Sequence, residues 1–180
     1  MILNSLKYIA ILIALLALYI ILPIGDYESG LAHLFGFIAI GTLFLIFSFT
    51  VIITKVVQGN KKFDYSMTLI TVAFLVITYS TFAHDKFWTR PILKTQVNDP
   101  NVDRFSLILY KNKSFGLRES HLEFIKVYQG DYTISKDTLR LLREGLPKLT
   151  NEIITNRYLI KDTLLKPIDT KYPNMVVIKE

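Results

Sequence analysis

Three long apolar runs fill the first 83 residues of the chain, and a soluble core does not accommodate helices of that length and composition. A hydrocarbon core about 30 Å thick is crossed by roughly 20 apolar residues in a helix rising about 1.5 Å per residue. The first run, Leu6 to Ile24, is nearly pure Leu, Ile and Ala, and ends at Pro23 before the polar loop Gly25-Asp26-Tyr27-Glu28-Ser29-Gly30. The second, Leu31 to about Ile53, can run on to Val57 if it tilts or projects from the bilayer, and its end is marked by Lys55 and the turn Gln58-Gly59-Asn60-Lys61-Lys62. The third, Tyr65 to Ala83, is diluted by Thr68, Thr71, Thr78, Tyr79, Ser80 and Thr81, whose hydroxyls can bond back to their own helix. Residues 1–84 are therefore expected to form a bundle of three transmembrane helices, about 6–24, 31–53 and 65–83. The first is too long, and lacks the small-residue cleavage site, to read as a secretory signal.

Charge follows the same division. Of 21 basic and 15 acidic side chains, only 4 and 3 precede His84. The remainder leaves the C-terminal half mildly basic, a balance that suits anionic headgroups, phosphorylated ligands or an acidic partner without choosing among them. The first loop holds two acids and no base, while the second holds Lys55, Lys61 and Lys62. Basic loops resist translocation, so the second loop and the N-terminus are expected in the cytoplasm and the C-terminal half outside. For a bacterial inner (cytoplasmic) membrane protein with multiple passes, outside is the periplasm. Lys86, Arg90 and Lys94 pull the other way. Phe87 and Trp88, beside Lys86 and Arg90, read as interfacial anchors.

Within the spans His33 is the lone ionisable group near membrane depth, read as a neutral interfacial histidine. Ala32-x-x-x-Gly36 permits close helix approach, and Gly36 and Gly41 are expected to pack the second and third helices or to serve a homo-oligomer. No recurring charge pattern lines the helices, which argues against a transporter.

After the connector 85–101, the pattern turns to alternation with period two. Phe105, Leu107 and Leu109 share a face, and Lys111-Asn112-Lys113 is expected to turn the strand back, with Asn112 taking the left-handed conformation. Leu122 to Val127, Gly130 to Ile134, Thr138 to Leu142, Arg157 to Ile160, Leu164 to Ile168 and Met175 to Ile178 read as further strands. Arg143 to Glu152 reads as a short helix or loop. The domain 102–180 is thus expected to be all-β, a small antiparallel barrel or sandwich.

The runs Leu107-Ile108-Leu109-Tyr110-Lys111-Asn112-Lys113-Ser114-Phe115, Gln129-Gly130-Asp131-Tyr132-Thr133-Ile134 and Lys136-Asp137-Thr138-Leu139-Arg140-Leu141 resemble a lipocalin-like meander found in small bacterial envelope proteins, with Lys113 at the usual turn glycine. Joined to helices with Leu22-Pro23-Ile24-Gly25-Asp26-Tyr27 after the first, they resemble an uncharacterised family of small bacterial membrane proteins. The resemblance implies a fold and no activity.

Chemistry is sparse. The chain has no cysteine, so thiol catalysis, disulfides and thiolate metal sites are out of reach. His84 and His121 stand in no catalytic motif, Asp131 and Asp137 read as turn acids, and there is no phosphate-cradling glycine loop. No enzyme activity, cofactor, metal or nucleic-acid partner is expected. Arg118, Lys126, Arg140 and Arg143 are the candidate contacts for an anionic small ligand or a partner. The leading expectation is a non-enzymatic envelope protein whose β-domain binds a protein or envelope component in an immunity-type or accessory role. The alternative resembles antiphage effectors in plan: a cytoplasmic β-barrel that binds a cyclic nucleotide and gates membrane disruption.

Overall fold

A computed structural model describes residues 2–57, 65–83, 86–99, 102 and 104–178; the turn Gln58 to Lys62, His84, and Pro100 with Asn101 lie outside them. The chain divides into two compact units, Met1–Pro23 with Gly30–Phe87, and Ile24–Ser29 with Trp88–Glu180.

The first unit is helical: α1 (Ile2–Ile21), then α2 (Leu31–Val57) and α3 (Tyr65–Ala83), with β1 (Tyr27–Gly30) intervening in sequence after α1. Two helices, over Leu31–Val57 and Tyr65–Phe82, are long and apolar enough to cross a membrane. Where three spans were expected, two meet the requirement among the described residues; within α1, Ile2–Ile21, the described apolar run is Ser5–Ile21. Ala10, Ala14 and Ala17 recur on one face of α1 and are buried in a cluster with Phe37, Phe44 and Val51 of α2 and Met67 and Phe74 of α3. The Phe44 and Phe74 rings meet tilted, 4.6 Å between ring centres. A Cβ built on Gly41 would meet the Phe37 and Phe74 rings at 3.7 Å, whereas one on Gly36 would face open space, so of the two it is Gly41 that packs α2 on α3. The hydroxyls of Ser48 and Thr71 are buried and bonded to each other, and Thr50, Thr54, Thr71 and Thr81 each donate to the carbonyl four residues earlier. Large apolar side chains such as Leu12, Phe35, Ile46, Phe49, Leu69 and Val76 face outward, a distribution that suits lipid as the surrounding solvent.

The second unit is a closed barrel of eight antiparallel strands. These are β2 (Pro91–Val97), β3 (Phe105–Tyr110), β4 (Ser114–Ser120), β5 (Phe124–Ser135), β6 (Thr138–Leu142), β7 (Arg157–Lys161), β8 (Leu164–Pro167) and β9 (Met175–Val177), with the short helix α4 (Leu146–Leu149) between β6 and β7. Each strand pairs with the next, and β9 returns to β2 through Thr95 opposite Val177 and Val97 opposite Met175. The connector thus contains a strand, and without it the barrel would stay open. Pro91 opens β2, a position where its missing N–H removes no interior ladder bond. Lys113, Lys136 and Asp162 take left-handed conformations in the three hairpin turns. In the first, Lys113 rather than Asn112 adopts positive φ, while Asn112 Oδ1 accepts from the Ser114 N–H at 3.2 Å and hydroxyl at 2.8 Å.

An eight-stranded barrel is just wide enough for side chains to fill. Phe105, Leu107, Phe115, Leu117, Leu139, Tyr158, Leu165 and Met175 do so at 0% exposure. Each such Leu or Phe contributes about 1.5–3 kcal/mol relative to exposure. The long strand β5 changes neighbours along its length: Ile125 to Asp131 pair with β4, and Asp131 to Ser135 pair with β6. The earlier half of its second edge lies beyond the reach of β6, and β1, from the segment between α1 and α2, adds there as a ninth strand. That segment had read as a plain polar loop.

Candidate functional site

The four basic residues singled out by sequence take up three different settings. Arg118 lies on the outer face of β4 between Ser106 of β3 and Val127 of β5. Lys126 and Arg143 come together over one ring: the Lys126 Nζ is 5.4 Å and the Arg143 guanidinium carbon 5.7 Å from the centre of Tyr128. Arg140 points outward from β6 and stands opposite Arg157 of β7. Of the membrane-interface anchors, Phe87, Trp88 and Arg90 are exposed, while Lys86 is buried.

Arg143 ties β1 to the barrel. Its guanidinium engages both carboxylate oxygens of Asp26 and the carbonyl of Gln129, and Asp26 Oδ1 also accepts from the Gln129 N–H at 2.9 Å. Burial alone would push the Asp26 carboxyl up. The bond from Arg143, the Gln129 N–H and the charges of Arg143 and Lys126 outweigh it and hold the group below its usual value. Because the folded value is the lower one, the stabilisation is present above the unfolded carboxylate range, about pH 4, and is lost as pH falls through the folded value. With Asp26 45% exposed, solvent screening keeps the contribution below about 1 kcal/mol. Hydrogen exchange at β1 and at the Gln129 amide, corrected for intrinsic rates, is therefore expected to stay flat from neutral to mildly acid pH and to quicken only below about pH 4. In Asp26→Asn that acid step should vanish; a step near pH 6 in the wild type would assign the latch to another group.

A second polar cluster closes one end of the barrel. Alternation along β4 turns Glu119 inward after Phe115 and Leu117, and the residue is 6% exposed. One oxygen lies 3.4 Å from Arg104 Nε and 3.3 Å from His121 Nε2; the other accepts from the Tyr128 hydroxyl at 3.1 Å. Burial, followed by the Glu119 charge, pushes the Tyr128 phenol up, so it remains a donor. His121 stacks on Phe124 at 4.4 Å. His121 is exposed at the barrel rim and engaged there with Glu119. Among the described residues no group of three or more His, Asp or Glu side chains is placed to hold a metal ion.

Sequence reasoning missed Asp26, Glu119 and Arg157. Outward alternation on β7 marks Arg157, but only the β6–β7 register sets it against Arg140. Comparison with protein-family models, with curated proteins and with solved structures finds no match to this chain.

Proposed function

We propose that this chain is a multi-pass protein of a bacterial cytoplasmic membrane that presents a non-enzymatic β-barrel on the outer side, where the barrel binds a protein or envelope component in an immunity-type or accessory role. One observation carries the reading: the segment Ile24–Ser29 belongs to the same compact unit as Trp88–Glu180 and adds a strand to its sheet. Two segments of one sheet stand on one side of a bilayer, so the chain between them crosses an even number of times. The two helices long and apolar enough to cross, α2 and α3, both lie in that interval. Once α2 spans, the more polar α3 must span with it. The barrel then shares the side of Asp26 and Glu28, opposite Lys55, Lys61 and Lys62, and the lysine-rich loop is the one retained in the cytoplasm. A crossing by α1 puts the N-terminus with Lys7 in the cytoplasm as well. The barrel interior is packed with side chains, which directs recognition to its outer surface and rims.

A second reading has Lys86, Arg90 and Lys94 in its favour, basic residues that follow α3 closely. If α1 lies along the membrane instead of crossing it, a cytoplasmic N-terminus keeps the barrel inside, as a ligand-gated effector that senses a cyclic nucleotide would require.

The absence of cysteine allows a direct test with Glu28→Cys and Lys136→Cys, two exposed positions on β1 and in the β5–β6 turn. In intact spheroplasts a membrane-impermeant maleimide is expected to label both, in agreement with topology reporters fused after Glu180. Labelling of both only after lysis overturns the outward reading in favour of the cytoplasmic sensor. Labelling of one alone breaks the even-crossing argument.

A further inference from the structure

Arg140 and Arg157 are Cα partners across β6 and β7. The ladder bonds from Leu141 N to the Asn156 carbonyl at 2.8 Å and from Ile160 N to the Asp137 carbonyl at 2.7 Å fall on alternate pairs of the same register. The arginine pair therefore occupies a non-hydrogen-bonded position, where Cα atoms approach to about 4.5 Å and side chains lie closest. Both side chains are exposed, and neither guanidinium has an ion-pair or hydrogen-bond partner among the described residues. Like charges set directly opposite each other destabilise a sheet. Lys166 on β8, opposite Leu159, is the diagonal neighbour of Arg157 and adds a third positive charge to this outer face.

The two arginines open onto a concavity of about 410 Å³ that Arg143, Glu144 and Asn156 also line. Asn156 Nδ2 donates to the carbonyls of Leu141 at 3.3 Å and Arg143 at 2.7 Å, which fixes the amide and leaves its Oδ1 buried without a partner. Arg143 Nε is likewise buried and unpaired. The outer face thus offers guanidinium forks to an anion.

We infer that the outer face of β6 and β7 at Arg140 and Arg157 binds a phosphoester. Tetrahedral phosphate oxygens meet guanidinium groups arriving from two strands. Bound, the anion neutralises the repulsion within the arginine pair. This deepens the reading of the barrel as a binding module and holds on either side of the membrane. A lipid headgroup and a soluble phosphorylated polyol share this chemistry.

The test uses the full chain in nanodiscs of phosphatidylcholine, with glycerol 3-phosphate as probe and glycerol at matched ionic strength as control. Glycerol 3-phosphate is expected to raise the melting temperature and glycerol is not. Arg157→Gln is expected to melt higher than wild type without ligand at low salt, which shows that it folds, and to bind the probe about tenfold more weakly or worse. Discs containing phosphatidylglycerol separate the sources. A rise there that depends on Arg157 and needs no soluble probe assigns the headgroup; a rise only with glycerol 3-phosphate assigns a soluble ligand. Three results overturn the inference: no rise from either source, an equal rise in the Arg140→Gln/Arg157→Gln double variant, or an equal rise with poly-glutamate, which would point to an acidic protein partner. Any of these leaves the maleimide labelling, and the topology it reports, standing.

Discussion

Gly130→Ala is expected to destabilise the barrel by about 2–3 kcal/mol, a large effect for a single methyl group. A Cβ built on Gly130 falls 2.7 Å from Phe115 Cε1, 3.0 Å from Cζ and 3.4 Å from the Arg143 Cβ. Phe115 is the cross-strand partner of Gly130 and is fully buried, so its ring lies across the bare backbone and has nowhere to withdraw. Gly130 immediately precedes Asp131, where β5 passes from β4 to β6, and Arg143 closes the other side. The cost is one of space, since Gly130 does not have positive φ. The smaller entropy of the unfolded alanine chain offsets only about 0.4–1 kcal/mol. Gly116→Ala is the control: its Cβ would meet the Tyr110 ring at 3.6 Å, an ordinary contact, and should change stability by less than about 0.5 kcal/mol. Urea melts followed through Trp88, the single tryptophan of the chain, measure both. Phe115→Leu costs about 1 kcal/mol alone but makes room, so the pair of changes should cost less than their sum. Additive losses, or Gly130→Ala within about 0.5 kcal/mol of wild type, would show that the ring does not pack there.

The same region shows what was readable from sequence and what was not. Local patterns carried far: Thr138 to Leu142 was expected as a strand and is β6 residue for residue, and the turns at Lys136 and Asp162 fall where polar pairs interrupt the alternation. The helices followed from apolar length. Long-range pairing was not readable. Pro91 to Val97 carries Lys94, Thr95 and Gln96 among its apolar residues and follows an aromatic, basic stretch, so it read as connector; only closure against β9 makes it a strand. Tyr27 to Gly30 is short and polar, and it is a strand only because β5 leaves an edge open that Asp26 and Arg143 hold it against. The candidate site was half legible for the same reason. Arg140 and Arg143 stood out by proximity in sequence, whereas Arg157 and Asp26 join them through the register of strands distant in the chain.

Glu119→Ala is expected to cost about 2–3 kcal/mol and Tyr128→Phe about 1 kcal/mol, and the difference follows from what each change leaves behind. A carboxylate turned into a barrel is tolerated only when its charge and lone pairs are met, and Arg104, His121 and the Tyr128 hydroxyl meet them here. Removing the tyrosine hydroxyl leaves Glu119 with Arg104 and His121. Removing Glu119 takes the acceptor from a charge-assisted bond and opens a cavity beneath Phe105 and Lys126, its cross-strand neighbours. The loss is bounded because Tyr128 retains a second acceptor, the Leu149 carbonyl at 3.2 Å, and because Arg104, 41% exposed, can turn to water. Glu119→Gln keeps the shape and an oxygen for Tyr128 but sets an uncharged amide against Arg104, so it should fall between wild type and Glu119→Ala. Equal losses for Gln and Ala would assign the whole effect to charge. No loss in Glu119→Gln would reduce the cluster to neutral hydrogen bonding and packing. In either case Tyr128 links this rim to Arg143, which lies over its ring, so loosening at Glu119 should also speed exchange at β1.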